Sequence, residues 1–290
     1  MIDSVGIFVN PTKQNWPEVT ERIIGFLSKR NKHAVMDPAL LSKHPVKGLN
    51  KTGSLDDTDM LVSLGGDGTL LNLVGHINNY DLPIVGVNLG GLGFLTEFTP
   101  ESLFETLDKI IEGEFEIQNR LALRSTLIRN NRKTAEHTAL NDVVITHQKL
   151  ARLIEITAFF DEDYVTTYQA DGLIICTPTG STAYSLSAGG PILEPTLDAI
   201  LLTPICPHTI TNRPILVPGN TNIRIAVPKP NMNATMTIDG QIGVPIQKDD
   251  SIEVKRSPKP IRLVKCPKTS FFEVLRNKLG WSGSKGFDKT

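Results

Sequence analysis

The first 115 residues alternate between two patterns of apolar positions. One is the short continuous apolar run, and the other is the recurrence of apolar residues at helical spacing. Short apolar runs at Val5–Val9, Met60–Leu64 and Pro83–Val87 predict buried strands. Apolar residues recur at helical spacing in residues 16–30 and 100–113, and a further helix is predicted after the second of these strands. This alternation of strands and helices predicts a parallel, Rossmann-like sheet. Residues 34–58 are mixed and polar, so we expect a variable loop region there.

Beyond Phe115 the helical period largely disappears. Short strand-like runs are separated by Gly, Pro and Asn turns, at residues 121–128, 142–146, 153–160, 172–176, 222–227, 234–238 and 251–255. Residues 270–281 predict one more short amphipathic helix. The predicted fold class is α/β + β: an N-terminal Rossmann-like parallel α/β domain and a C-terminal all-β sandwich-like domain, with the active site in the cleft between them.

Composition and charge narrow the possible partners. The chain has 290 residues, and its 30 basic and 31 acidic side chains give a formal net charge of -1. This balance predicts no nucleic-acid or membrane partner, so any anion binding must be local. The three cysteines are widely separated, and no apolar run approaches the ~20 residues of a membrane span. We therefore expect a cytoplasmic protein.

The most informative segment is the strand-to-helix junction at residues 61–72. Its sequence is Leu-Val-Ser-Leu-Gly-Gly-Asp-Gly-Thr-Leu-Leu-Asn, without the Lys of a Walker loop. Glycines let the backbone approach a ligand, and a helix start offers N–H groups to an anion. Gly65, Gly66 and Gly68 therefore predict a phosphate cradle, with Asp67 as a base or a metal ligand. The alternative is a tight turn, where Gly and Asp are favoured for conformational reasons alone.

Two further segments carry polar groups suited to a nucleotide. In residues 171–191, Asp171 precedes an apolar run that opens into the hydroxyl-rich loop 179–182. Those hydroxyls suit phosphate or ribose oxygens, and the carboxylate could orient an amide or simply be solvated. Asn141 and Asp142 begin another predicted strand, where they suit the vicinal hydroxyls or the adenine edge of a nucleotide. An Asx turn is the alternative there.

Six motifs of this chain occur, in this order, in a known family. They are Gly-Gly-Asp-Gly-Thr at 65–69, Asn-Leu-Gly-Gly-Leu-Gly-Phe-Leu at 88–95, Leu-Asn-Asp at 140–142, the run at 171–191, Pro-Ile-Cys-Pro-His at 204–208 and Asp-Gly-Gln at 239–241. By these motifs the chain resembles the bacterial-type NAD kinases. The first motif is shared with diacylglycerol-type lipid kinases, whereas the run at 171–191 is far more specific.

The resemblance implies transfer of the terminal phosphate of ATP to the 2′-hydroxyl of the adenosine ribose of NAD, giving NADP. It implies Asp67 as general base, and we expect a divalent cation, Mg²⁺, to accompany ATP. It further implies a homodimer or homotetramer in which a neighbouring subunit completes the nucleotide site. The implied domains are an α/β domain at 1–115, joined by the C-terminal segment 266–290, and a dinucleotide-binding domain at 116–265.

The predicted site combines these residues. Asp67 is the catalytic candidate, and no metal-ligand set is predicted. The predicted nucleotide-binding residues are Gly65, Gly66, Gly68, Thr69, Asn72, Phe94, Asn141, Asp142, Arg152, Gln169, Asp171, Thr182, Ala183, Tyr184, Ser185, Leu186, Ser187 and Gln241. Of these, Arg152, Gln169, Gln241 and residues 182–187 are assigned to the dinucleotide by the resemblance, and Gln169 stands where many members carry a basic residue or His.

Two rival functions share the first motif or the pocket. A lipid kinase would need an apolar entrance for an acyl chain, whereas the 171–191 loop is rich in hydroxyls. A catalytically silent NAD(H)- or NADP-binding sensor would not need Asp67. The sequence leaves open whether inorganic polyphosphate replaces ATP and whether NADH is accepted.

Overall fold

A computed structural model describes residues 2–49, 51–147, 153–209, 211–228 and 234–281. The chain divides into two compact units. The first unit comprises the residues up to Leu73, Ile77–Gln118 and the residues from Arg262 onward, and the second comprises Val74–His76 and Asn119–Ile261. No helix among the described residues has the length and apolar character needed to cross a membrane.

The first unit is built on a seven-stranded sheet. Its strands are β1 (Ser4–Val9), β2 (His33–Met36), β3 (Lys51–Thr52), β4 (Met60–Gly65), β5 (Ile84–Asn88), β6 (Ile117–Arg120) and β19 (Ile261–Val264), in the order β3-β2-β1-β4-β5-β19-β6. Its helices are α1 (Trp16–Ser28), α2 (Pro38–Lys43), α3 (Asp67–His76), α4 (Pro100–Glu112) and α6 (Phe271–Leu279). Strands β1, β2, β4 and β5 pair in parallel. The predicted parallel α/β architecture is confirmed.

Local sequence signals explain where the helices begin and end. Helix α4 starts with Pro100 after the cap residue Thr99, whose hydroxyl accepts a hydrogen bond from Ser102 N (3.3 Å). It ends at Gly113, whose φ of 88° is left-handed and favours glycine. Helix α6 is likewise capped by Ser270.

The prediction of a loop at residues 34–58 is wrong. Residues 34–36 are buried and belong to β2, which pairs in parallel with both β1 and β3. Asp37 then caps α2, because its carboxylate accepts a hydrogen bond from Ala39 N (2.6 Å) and Pro38 takes the first helical position. A 3-10 helix follows at Leu55–Asp57. These elements are too short for a periodic signal, so the polar residues around them dominated the pattern.

The second unit contains two antiparallel six-stranded sheets, which confirms the predicted sandwich-like class. One sheet has the order β11-β10-β15-β18-β7-β8 and the other β14-β13-β12-β9-β16-β17. The strands are β7 (Leu123–Arg129), β8 (Arg132–Ala139), β9 (Asp142–His147), β10 (Ile154–Phe160), β11 (Asp163–Ala170), β12 (Gly172–Cys176), β13 (Ala199–Ile205), β14 (Ile215–Pro218), β15 (Ile223–Ala226), β16 (Ala234–Ile238), β17 (Ile242–Ile246) and β18 (Ser251–Arg256). A short helix α5 (Tyr184–Ser187) follows β12. Alternate side chains of the two sheets, such as Ile154 and Ile156 of β10 and Val143 and Ile145 of β9, form one core.

Candidate active site

A tight glycine turn connects strand β4 directly to α3. Gly66 is the cap residue of α3, and Asp67 is its first residue. A Cβ on Gly65 would overlap the Thr69 hydroxyl, so this turn requires glycine. We expected the Gly66 N–H to face phosphate, but it donates to Thr69 Oγ1 (3.3 Å). Thr69 N donates to Gly66 O (2.9 Å), and the start of α3 still carries the positive end of the helix dipole.

The Asp67 carboxylate is held by the segment that follows β5. Its Oδ1 accepts hydrogen bonds from Leu95 N (3.1 Å), Thr96 N (3.0 Å) and Thr96 Oγ1 (2.8 Å). Its Oδ2 accepts one from Phe94 N (2.9 Å). Asn88 Nδ2 supports this arrangement by donating to Thr96 Oγ1 (2.8 Å). The carboxylate therefore has a fixed orientation, and in the described part of the chain Oδ2 is the less heavily used oxygen.

A second polar cluster surrounds the start of β9. Asn141 precedes this strand, and Asp142 is its first residue, buried to 5% exposure. The Asp239 carboxylate accepts hydrogen bonds from the N–H groups of Leu140, Asn141 and Asp142 (2.7–2.9 Å). Burial, and after it the charge of Asp239, raises the pKa of Asp142 to about 7. Burial raises the pKa of Asp239 to about 6, although the three N–H groups lower it.

The loop after β12 contacts the same turn. Thr177 Oγ1 donates to Leu140 O (2.6 Å), and Thr177 N donates to Asn141 O (2.9 Å). A 3-10 helix at Thr179–Thr182 and then α5 follow. Asp142 pairs with Cys176 in the sheet, and Val143 pairs with Ile238. Three adjacent strands, β12, β9 and β16, thus bring their polar ends together.

Some side chains of residues 182–187, which are predicted to contact the dinucleotide, make hydrogen bonds within the protein. Ser185 is buried, and its hydroxyl pairs with Thr203 Oγ1 (2.8 Å). Thr182 Oγ1 donates to Thr179 O (3.3 Å). Tyr184 is 45% exposed, so its ring is accessible to a ligand. Ala183 and Leu186 are partly exposed, and Ser187 is exposed.

The remaining predicted residues are not all gathered at this cluster. Gln241 is exposed and lies in the turn between β16 and β17, directly before Ile242. Asp171 is exposed and precedes Gly172, so it lies at the end of β12 opposite to Cys176. A strand of this length spans about 15 Å. Gln169 is exposed on β11, in the other sheet, and Arg152 lies outside the described residues.

Three residues of these clusters were not predicted individually: Thr96, Thr177 and Asp239. Asp239 belongs to the Asp-Gly-Gln motif, and its φ of 49° is left-handed. That motif was a usable signal. Thr177 lies within the motif at 171–191, although its contact with the 140–142 turn is not encoded locally, whereas Thr96 lies just outside the motif at 88–95 and no signal points to it.

The comparisons with known proteins cover both units. The ATP-NAD kinase N-terminal domain model matches residues 5–115, and the ATP-NAD kinase C-terminal domain model matches residues 140–266. The chain belongs to the NAD kinase family. This confirms the resemblance drawn from the six motifs.

Named NAD kinases match nearly the whole chain. The NAD kinase of Solibacter usitatus is 43% identical over 97% of this chain and 98% of its own. The NAD kinase of Geotalea daltonii is 41% identical over 96% of this chain and 98% of its own.

Solved structures of the family also match. Yeast NADH kinase, complexed with NADH, has a TM-score of 0.88 at 28% identity, covering 100% of this chain and 90% of its own. An NAD kinase from Archaeoglobus fulgidus, in complex with ATP, has a TM-score of 0.74 at 28% identity, covering 97% of this chain and 100% of its own.

Gly93 sets the position of Asp67 in this NAD kinase family member. A Cβ on Gly93 would overlap Asp67 Oδ1 and Thr96 Oγ1, whereas a Cβ on Gly91 would meet open space. We expect Gly93→Ala to displace the carboxylate and to lower kcat about 100-fold, the usual order for a 1 Å misplacement. Gly91→Ala is the matched control and should keep kcat within about twofold. Steady-state kinetics of both variants test this, and equal kcat values for the two would contradict it.

Proposed function

We propose that the protein transfers the terminal phosphate of ATP to the 2′-hydroxyl of the adenosine ribose of NAD, with Asp67 as general base. The observation that carries this proposal is the Asp67 carboxylate, fixed by the 94–96 backbone at a glycine-flanked helix start. A base for phosphoryl transfer must be held in place beside the attacking hydroxyl. The fixed carboxylate satisfies the first part of that requirement.

The proton of the attacking hydroxyl would pass to Asp67. Oδ1 accepts three hydrogen bonds, so Oδ2, with one from Phe94 N, is the oxygen better placed to accept a proton. The first turn of α3 would face phosphate with the positive end of the helix dipole. A Cβ on Gly68 would meet no protein atom within 4 Å, which leaves room for the close approach of a phosphate at that residue. Thr69 closes this turn, and Asn72 lies one helical turn after Gly68.

The Asn141–Asp142 turn would bind the ribose hydroxyls or the adenine of NAD. An amide and a carboxyl group offer both donors and acceptors to vicinal hydroxyls. Tyr184 would stack on a ribose or base face, since nearly half of it is exposed. Phe94 would pack near the adenine, and its ring contacts Phe271 of α6 at 6.2 Å between centroids.

Self-association belongs to this proposal. Asp171 and Asn141 lie at opposite ends of adjacent strands. The two side chains of one chain are therefore poorly placed to contact the same part of a nucleotide. We propose a homo-oligomer in which a second copy supplies Asp171.

The free thiols of Cys176, Cys206 and Cys266 support a reducing, cytoplasmic location.

We expect Mg²⁺ to bind together with ATP. Mg²⁺ usually keeps several waters and is held mainly by substrate phosphates rather than by a dedicated cage of protein ligands, so we expect the phosphates of ATP to hold it here. The ion would neutralise charge that develops on the transferred phosphate.

The test is NADP formation, followed with a dehydrogenase that uses only NADP. We expect turnover with NAD, ATP and Mg²⁺, and its loss when EDTA removes the divalent ion. Parallel reactions with polyphosphate as donor and with NADH as acceptor define the substrate range. Binding of NAD by folded protein without NADP from either donor would favour a silent sensor and overturn the proposal.

A further inference from the structure

The turn at Leu140–Asp142 is held on its N–H side by one carboxylate from a distant part of the chain. Asp239 Oδ2 accepts from Leu140 N (2.8 Å), and Oδ1 accepts from Asn141 N (2.7 Å) and Asp142 N (2.9 Å). Asp239 N donates in return to Asp142 O (2.9 Å). Charge-assisted hydrogen bonds of this kind are about twice as strong as neutral ones.

The opposite side of the turn is held by the loop after β12. Thr177 binds the carbonyl groups of Leu140 and Asn141, through its hydroxyl (2.6 Å) and its N–H (2.9 Å). Its hydroxyl also accepts from Gly180 N (3.0 Å). Gly180 packs so closely that a Cβ there would overlap the Asn141 carbonyl. Both faces of the Asn141 backbone are therefore fixed.

Stability alone does not account for the choice of Asp at residue 239. Asp239 is 9% exposed and Asp142 is 5% exposed, and the charge of Asp239 adds to the cost of ionising Asp142. Asp239 accepts from three N–H groups of the turn, but its charge lies beside a second buried carboxylate, a cost that a turn serving only the fold would avoid. The arrangement instead fixes the direction of Asn141, whose backbone is bound on both sides.

We propose that Asp239 is a positioning residue that, together with Thr177, orients the Asn141–Asp142 turn for the adenosine part of NAD. Asp239 acts through the turn and does not contact the nucleotide. This inference rests on the proposed function, in which Asn141 and Asp142 contact NAD. Asp239 affects the binding of the dinucleotide acceptor and does not affect the binding of the phosphoryl donor.

The test is a comparison of Asp239→Asn with Asp250→Asn. The amide introduced at residue 239 has an NH₂ group in place of one carboxylate oxygen. This NH₂ group would face an N–H group whose hydrogen bond the carboxylate now accepts, so the turn loses at least one hydrogen bond. We expect the KM for NAD to rise about 10- to 100-fold and the KM for ATP to stay within about twofold. Asp250 is also a buried carboxylate of the second unit, bound by Arg129 and by Gln247 N, but it lies away from the turn. Its variant should lower Tm and leave both KM values unchanged.

Hydrogen exchange gives a readout that does not depend on turnover. The amides of Leu140, Asn141 and Asp142 should exchange faster in Asp239→Asn than in the wild type, and Asp250→Asn should leave them protected. Where Asp239→Asn does not fold, Thr177→Val replaces it, since it removes the hydroxyl at nearly constant volume. The same rise in the KM for NAD is expected.

The outcomes separate the two proposals. If the wild type makes no NADP, the proposed function fails. If the wild type turns over and Asp239→Asn, or Thr177→Val in its place, keeps the wild-type KM for NAD, the positioning role is wrong and Asp239 serves the fold alone. A rise in the KM for ATP equal to that for NAD would also overturn it.

Discussion

Asp67→Asn is expected to lower kcat by about 10²–10⁴-fold, the usual contribution of a general base. The amide cannot accept the proton of the attacking hydroxyl. NAD affinity, measured by calorimetric titration, should change by less than about threefold, because an Asn side chain can still hydrogen-bond the 2′-hydroxyl and the other proposed NAD contacts are made by other residues. Stopped assays of NADP formation at saturating NAD and ATP measure the fall in kcat.

The control for this prediction separates a base from a loop anchor. Asp67 also holds residues 94–96, so its replacement removes loop contacts as well as the carboxylate. Thr96→Val removes one of these contacts, the hydroxyl bond to Oδ1, and keeps the carboxylate. We expect it to lower kcat less than about tenfold. Equal losses in the two variants would show that Asp67 acts only by ordering the loop.

Asp142→Asn is expected to stabilise the protein at pH 8 by about 1–3 kcal/mol, since a shift of one pKa unit corresponds to about 1.4 kcal/mol. Burial and the Asp239 charge raise the pKa of Asp142 from 3.8 to about 7. The folded state therefore binds more protons than the unfolded state between these values, and the free energy of unfolding falls as pH rises from about 4 to 7. The proton belongs to the pair, and the three N–H groups on Asp239 favour its residence on Asp142.

Calorimetric unfolding at pH 5 and pH 8 tests this. The wild type should lose stability between the two pH values, and Asp142→Asn should lose less. Asp250→Asn is the control, and we expect the free energy of unfolding of this variant to change between pH 5 and pH 8 as much as that of the wild type. Burial alone would raise the pKa of Asp250, but hydrogen bonds from Arg129 and Gln247 lower it, so its contribution is lost towards acid pH. A wild type whose stability rises between pH 5 and pH 8 would contradict the assignment.

Much of the fold was predictable because buried strands and amphipathic helices leave a period in the sequence. The strands β1, β4, β5 and β12 are apolar on both faces and were found on that basis. By contrast, β8 (Arg132–Ala139) is an edge strand, and among its residues only Ala139 is buried. A polar edge strand leaves no such period, so it was missed.

The site was predictable at the level of motifs but not of contacts. Asp67 stood out because glycines flank it at a strand-to-helix junction. Its hydrogen-bond donors lie 27 to 29 residues away, and those of Asp239 lie 97 to 99 residues away. Tertiary folding brings these groups together, so local sequence gave no indication that Asp67 is held by a loop or that Asp239 holds the turn.

The most direct test of the central claim is phosphorus NMR of the protein with NAD, ATP and Mg²⁺. It identifies the hydroxyl that receives the phosphate. We predict a new phosphomonoester signal of the 2′-phosphate of NADP, growing in equal amount with ADP. ADP that accumulates with inorganic phosphate and an unchanged dinucleotide, or a phosphate on another hydroxyl of NAD, would contradict the account.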